Sequence, residues 1–200
     1  MNQQIKEIEL ILNDIYSAND LELLLLEARM KRLYYSCFDD IILNKDFSFR
    51  ERSTFPPQNE VNAMMSFGYA ILYGKLESII LLSRLEISLP FVHGHSKPNT
   101  GLHHDIADIF KPIFVDRLIF RLINKDVIQQ SDFEGRDGGV YLNKTGMKKW
   151  ITHFEKFMKE TIKIGTKSYS KQQLLSREIN RIANHVFKNH SYEGYVMTKW

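Results

Sequence analysis

Cysteine is nearly absent from this 200-residue chain, and the one present, Cys37, excludes an internal disulfide. It also excludes a zinc site built on paired cysteines. Long apolar runs are missing too: the longest, Tyr69–Tyr73, is five residues, against the roughly 18–20 that a membrane span needs. The start, Met-Asn-Gln-Gln, has neither a basic n-region nor an apolar h-region, so no secretory signal is read there. The nucleophile and phosphate-loop templates are empty: there is no G-x-S-x-G, G-x-x-x-x-G-K-[ST], H-E-x-x-H or G-x-G-x-x-G. Acyl transfer and nucleotide hydrolysis by those routes are therefore disfavoured. The expectation is a reduced, intracellular protein with no membrane partner.

What is present is core-forming material. Hydrophobic residues at 44% and aromatics at 12% exclude disorder as the main state. The net charge of +3 hides an asymmetry: residues 1–143 balance to −5 and residues 144–200 to +8. A basic C-terminal part suits a polyanionic partner, although a solvated basic helix face gives the same count.

Helical periodicity dominates the pattern. Ile5, Ile8, Ile11, Leu12 and Ile15 fall on one face of a first helix. Ser17–Asp20 caps a second, expected over about 20–43. Asp46–Pro57 reads as an extended loop, and Pro56-Pro57 leads into a helix over about 58–86. After a loop over Leu89–Thr100, a helix over about 101–125 is either bent or split by Pro112. Asp137-Gly138 between two short strand-like stretches predicts a hairpin near 133–142. Lys144–Ile164 and Ser170–Asn189 read as two basic closing helices. The fold class expected is mainly α, in a single domain over 1–200 with one small hairpin.

The densest polar cluster runs from Phe91 to Pro112. Asp105 and Asp108, three apart, share a helix face, with Ile106, Ile109 and Phe110 beside them to anchor it. Such a carboxylate pair suits a divalent cation, with Lys111 placed to face a phosphate. A solvated pair favouring a helix N-terminus explains the spacing equally. His93, His95, His103 and His104 fall within twelve residues, so a role for one competes with an ordinary hydrogen-bonded histidine. Imidazole and carboxylate without thiolate favour Mg²⁺ or Mn²⁺, with zinc left open by composition. Glu27 follows four leucines in mid-helix and must be paired, protonated or bound to metal there. Pairing with Lys31 at i+4 is the simple explanation. Cys37, among Tyr34, Tyr35 and Phe38, reads as a buried apolar residue.

Four segments in order resemble the CRISPR-associated adaptation integrases, the first-numbered Cas proteins. They are the glutamate helix Leu24-Leu-Leu-Glu-Ala-Arg-Met-Lys-Arg-Leu-Tyr-Tyr35, the long helix with its lead-in over Phe55–Tyr73, Phe91-Val-His93, and Leu102-His-His-Asp-Ile-Ala-Asp-Ile-Phe-Lys-Pro112. The resemblance covers most of residues 20–125. It implies Glu27, His93 and Asp108 as ligands of Mg²⁺ or Mn²⁺, with Asp105 as an accompanying acidic residue in the same catalytic site. Lys111 would sit near a DNA phosphate, and Tyr73 would line the site. Glu60 is left out, because the family's ligand glutamate is the earlier one and Glu60 suits a helix N-terminus.

The activity implied is joining of a foreign DNA fragment to repeat DNA through its 3′-hydroxyl, with cleavage of branched DNA in reverse. The partners implied are double-stranded and branched DNA, a second copy of the chain and the small second-numbered Cas protein, in a prokaryotic cytoplasm. Family members carry an N-terminal β-rich domain through which they largely dimerise. The expectation here is the helical catalytic domain without it. Two other classes remain: a helical DNA-binding or assembly module with an incomplete site, and an unrelated metal-dependent hydrolase of small phosphoesters.

Overall fold

The chain is described by a computed structural model over residues 2–91 and 101–197. Its first helix, α1 (Asn2–Ile15), packs on α2 (Asp20–Tyr35), whose start is set by Asn19. The Asn19 side chain accepts the Leu21 and Glu22 N–H groups, while Glu22 accepts the Asn19 N–H, so the predicted cap is a reciprocal box. The helix expected to reach 43 stops at Tyr35. Ser36 turns its hydroxyl back to the Leu33 carbonyl, and the short α3 (Phe38–Ile41) then follows. This break drops Phe38 into the core, between Tyr34, Tyr35, Phe49 and Phe120.

The central element is α4 (Glu60–Leu81), five residues shorter at its C-terminus than expected. Val61, Met64, Met65, Leu72, Leu76 and Ile80 are all buried, so the helix is covered on most sides, as suits the middle of a bundle. Asn59 caps it and Glu60 occupies its first turn. Gly68 is where α4 approaches its neighbours most closely. A Cβ there would lie 2.5 Å from Val115 Cγ1 and 2.6 Å from Trp150 Cζ2. Gly68→Ala should therefore destabilise the chain by about 1–3 kcal/mol despite its better helix propensity, measured by urea denaturation.

The segment over 101–125 is neither cleanly bent nor split. It is α5 (Leu102–Phe110), a π-helical turn (Lys111–Asp116) and α6 (Arg117–Asn124), running on without a break. Pro112 lacks an N–H and its ring crowds the carbonyl four residues back. The widened turn accommodates it, and the Arg117 N–H reaches the Pro112 carbonyl, five residues behind.

The predicted hairpin is β1 (Phe133–Arg136) paired antiparallel with β2 (Gly139–Leu142). Asp137 and Gly138 both have positive φ, as an Asp-Gly two-residue turn requires. After α7 (Lys144–Lys159) comes a second hairpin, β3 (Thr161–Ile164) with β4 (Lys167–Ser170), where a helical continuation was expected. Thr-Ile-Lys-Ile alternates in burial, and Gly165 at φ +60° turns the chain. The closing helix is α8 (Lys171–Lys188), whose buried face packs on α4 and α7. No helix among the described residues is long and apolar enough to cross a membrane.

Candidate active site

On α2, residues 27, 31 and 34 stand at i, i+4 and i+7 and so share one face. Facing them are Asp105 and Asp108 on α5 and Pro112 on the π turn. A pocket of about 410 Å³ lies between, lined by Glu27, Lys31, Tyr34, Asp105, Asp108 and Pro112, with Ile8 and Met30. The two α-helical segments that supply carboxylates are thus brought to one cavity from positions some eighty residues apart.

Lys31 connects them. Its Nζ donates to Glu27 Oε1 and also, at 2.9 Å, to Asp108 Oδ2. The two readings of Glu27 therefore meet: it does pair with Lys31, and the pair faces the aspartate motif. Lys111 Nζ donates to the other Asp108 oxygen. Burial alone would raise the Asp108 carboxyl, but Lys111 and Lys31 outweigh it and hold it below the usual carboxylate range. The same contacts act in reverse on the ammonium groups. Burial lowers Lys31 and Lys111, and their carboxylate partners more than compensate, so both stand above the ordinary lysine value.

Lys111 is mostly covered. Its ammonium lies 5.0 Å from the centre of the Tyr73 ring and 5.1 Å from that of Tyr69, so it is directed at Asp108 and two aromatic faces. Tyr73 also packs against His104, with ring centres 4.4 Å apart. His104 Nδ1 accepts the Gly101 N–H and closes the start of α5, while burial pulls His103 below the ordinary imidazole value. Asp105 Oδ2 accepts the Phe91 N–H at 2.5 Å, tying α5 to the chain two residues before His93. His93 and His95 lie outside the described residues.

Among the described residues no group of three or more His, Cys, Asp or Glu side chains is gathered closely enough to hold a metal ion. Glu27 and Asp108 do provide two carboxylates with a single positive charge lodged between them. That Lys31 ammonium marks a point where the fold already stabilises a cation, and oxygen donors of this kind suit a hard divalent ion.

One polar residue behind the pocket escaped the sequence reading. Asp116, at the end of the π turn, is 1% exposed. It accepts the Tyr69 hydroxyl at 2.7 Å and the Tyr34 hydroxyl at 3.0 Å. Burial pushes its carboxyl up to about 7, against the opposing effect of the two tyrosines and of Arg52 and Lys111. Burial and the Asp116 charge raise both Tyr34 and Tyr69 in turn. The signal available in the sequence was an acid inside the apolar run Ile113-Phe-Val-Asp-Arg-Leu-Ile119.

A family model described as CRISPR associated protein Cas1 matches residues 1–156. The chain belongs to the Cas1 family. A CRISPR-associated endonuclease Cas1 from Thermodesulfovibrio yellowstonii is 32% identical over 182 residues, covering 90% of this chain and 54% of that protein. A solved CAS1 protein from Thermotoga maritima superposes with a TM-score of 0.83 at 27% identity, over 90% of this chain and 57% of the other. Casposase bound to integration product (TM-score 0.78, 19% identity, 86% of this chain and 52% of that one) shares the fold. So does a chain of a Cas6-RT-Cas1–Cas2 complex (0.81, 20%, 94% and 21%). This Cas1 chain spans about half the length of the curated relatives it matches. The match to the Cas1 family model ends within α7, ahead of the β3–β4 hairpin and α8.

Proposed function

We propose that this chain is the catalytic part of a metal-dependent DNA integrase and endonuclease of CRISPR spacer acquisition, working in a prokaryotic cytoplasm. The observation that carries the reading is the pocket in which Lys31 stands between Glu27 and Asp108. Glu27, Asp108 and His93 would hold Mg²⁺ or Mn²⁺, with Asp105 beside them. A bound divalent ion supplies polarisation of the scissile phosphate and eases deprotonation of an attacking 3′-hydroxyl. The chain's own residues do the rest. Lys31 and Lys111 keep Asp108 ionised and add positive charge beside the phosphate. Tyr73 and Tyr69 wall in Lys111, and Asp105 accepts the Phe91 N–H in the chain leading to the histidine segment.

The DNA partner is supported by the charge distribution. Lys144, Lys148, Lys156, Lys159, Lys163, Lys167 and Lys188 are all exposed, whereas Lys171 is buried and paired with Glu160. Phosphate contacts of that kind are sequence-tolerant and release counter-ions. With four contacts, duplex affinity should fall roughly a hundredfold between 50 and 200 mM salt. Charge reversal at Lys148 and Lys156, on one face of α7, should flatten that slope; fluorescence anisotropy measures it. A salt-independent affinity removes the basic face from the interface. The small second-numbered Cas protein and a second copy of the chain are the partners that the family reading adds.

The direct test is strand transfer of a 3′-hydroxyl duplex into repeat DNA, and cleavage of branched DNA, with Mg²⁺ or Mn²⁺. The second reading is a helical DNA-binding module that needs the remaining half of its relatives' length to complete its site. Both oxygens of Asp108 being engaged by lysines favours it. It predicts DNA binding indifferent to Asp108→Ala and no strand transfer.

A further inference from the structure

We propose that Asp116 is a positioning residue for the pocket between α2 and α5, acting through the Tyr34 hydroxyl. The inference rests on reading that pocket as the catalytic site. Packing alone does not call for a carboxylate at this position, because burying one is costly unless its oxygens are satisfied and an apolar residue would fill the space. Here each oxygen accepts one tyrosine hydroxyl, and the two tyrosines come from different helices, Tyr34 from α2 and Tyr69 from α4. The Asp116 backbone belongs to the π turn that begins three residues after Asp108. One buried group thus ties three segments, and Arg52, whose guanidinium lies 5.6 Å from the centre of the Tyr69 ring, adds positive charge nearby.

The tie matters for the pocket because Tyr34 shares its helix face with Glu27 and Lys31. Lys31 also joins α2 to α5, but through a long side chain that is 40% exposed, and a cation entering between Glu27 and Asp108 competes with that ammonium. The part-buried Tyr34–Asp116 bond, 3.0 Å long, uses neither Glu27 nor Asp108. It holds the rotation and height of α2, and hence the placement of Glu27, when Lys31 gives way. Tyr69 satisfies the same carboxylate from α4, which carries neither Glu27 nor Asp108. The two hydroxyls thus serve one carboxylate from different helices, and only Tyr34 shares a helix face with Glu27 and Lys31.

That difference is the test. Tyr34→Phe removes the α2 hydroxyl from Asp116. Tyr69→Phe removes the α4 hydroxyl, which also interacts with Tyr35 at the end of α2, so Tyr35→Phe serves as the control for that second contact. In the metal-free chain, hydrogen exchange of the α2 amides over residues 27–31, around Glu27 and Lys31, should speed up about tenfold in Tyr34→Phe and stay within about twofold in Tyr69→Phe and in Tyr35→Phe. In calorimetry with Mn²⁺ alone, Tyr34→Phe should weaken binding about tenfold and Tyr69→Phe should not. Equal behaviour of the two variants in both measurements overturns the proposal and leaves Asp116 a stability residue. If the wild-type chain binds no Mn²⁺, the catalytic reading of the pocket fails, and the exchange experiment still decides whether Asp116 positions α2.

Discussion

Replacing Asp108 by asparagine should abolish Mn²⁺ binding and strand transfer while leaving the chain folded. Asparagine keeps the shape and one acceptor oxygen but removes the charge that Lys31 and Lys111 share. Losing two charge-assisted hydrogen bonds at a half-buried position should cost about 1–3 kcal/mol of stability, which a urea denaturation curve registers without loss of the folded baseline. The functional loss should be far larger, on the order of 10³ or more in strand-transfer rate, because a carboxylate that would hold the divalent ion at the reacting phosphate disappears. His93→Ala and Glu27→Gln should each abolish Mn²⁺ binding as well. The three residues come from separate segments, so only an assembled site makes all of them matter. Binding that survives Asp108→Asn and His93→Ala would remove the ligand assignment, whatever happens to activity.

The second large effect is on stability against pH. The Asp116 carboxyl is pushed up to about 7 in the folded chain, against about 3.9 when unfolded. Between those values the folded state binds a proton that the unfolded state does not, so stability falls as pH rises. The contribution is fully present below pH 4, is lost as pH rises through 7 and is flat above. Three units correspond to on the order of 4 kcal/mol. Asp108 and Glu160, both held low by cations, contribute in the opposite sense, with stability lost as pH falls through their depressed values. Comparison with Asp116→Asn cancels them. Denaturation of both proteins from pH 4 to 8 should show the wild-type advantage shrinking towards neutrality. A constant difference would mean that Asp116 does not titrate in this range.

These two aspartates show what could be read from the chain and what could not. Asp105 and Asp108 were legible because a three-residue spacing places both on one helix face, a local fact. The Glu27–Lys31 pair was legible for the same reason. Its meeting with Asp108 was not, because 77 residues separate Lys31 from that partner and only packing brings them together. Asp116 stayed hidden because a single acid in an apolar stretch has the periodicity of an exposed position. Two tyrosines on other helices turn it inward. The hairpin over Thr161–Ser170 was missed in a similar way: Ile162 and Ile164 continue a helical reading until Gly165 turns the backbone. The break at Ser36 carries no glycine or proline to announce it. The order of the motifs, by contrast, survived intact, and with it the family.

The π turn between α5 and α6 has a consequence for how this chain tolerates insertions and deletions. It lodges a surplus residue in an otherwise α-helical run, and the hydrogen bond that reaches five residues back absorbs it, so the faces of α5 and α6 stay in phase. Deleting one residue between Lys111 and Asp116 would let the run close up as a plain α-helix and leave Leu118, Ile119, Leu122 and Ile123 turned to the core. The same deletion inside α6 has no surplus to draw on and would turn every residue after it by about 100°. The stretch can give up length, whereas Lys111, Phe114, Val115 and Asp116, paired or buried, leave little freedom in their side chains.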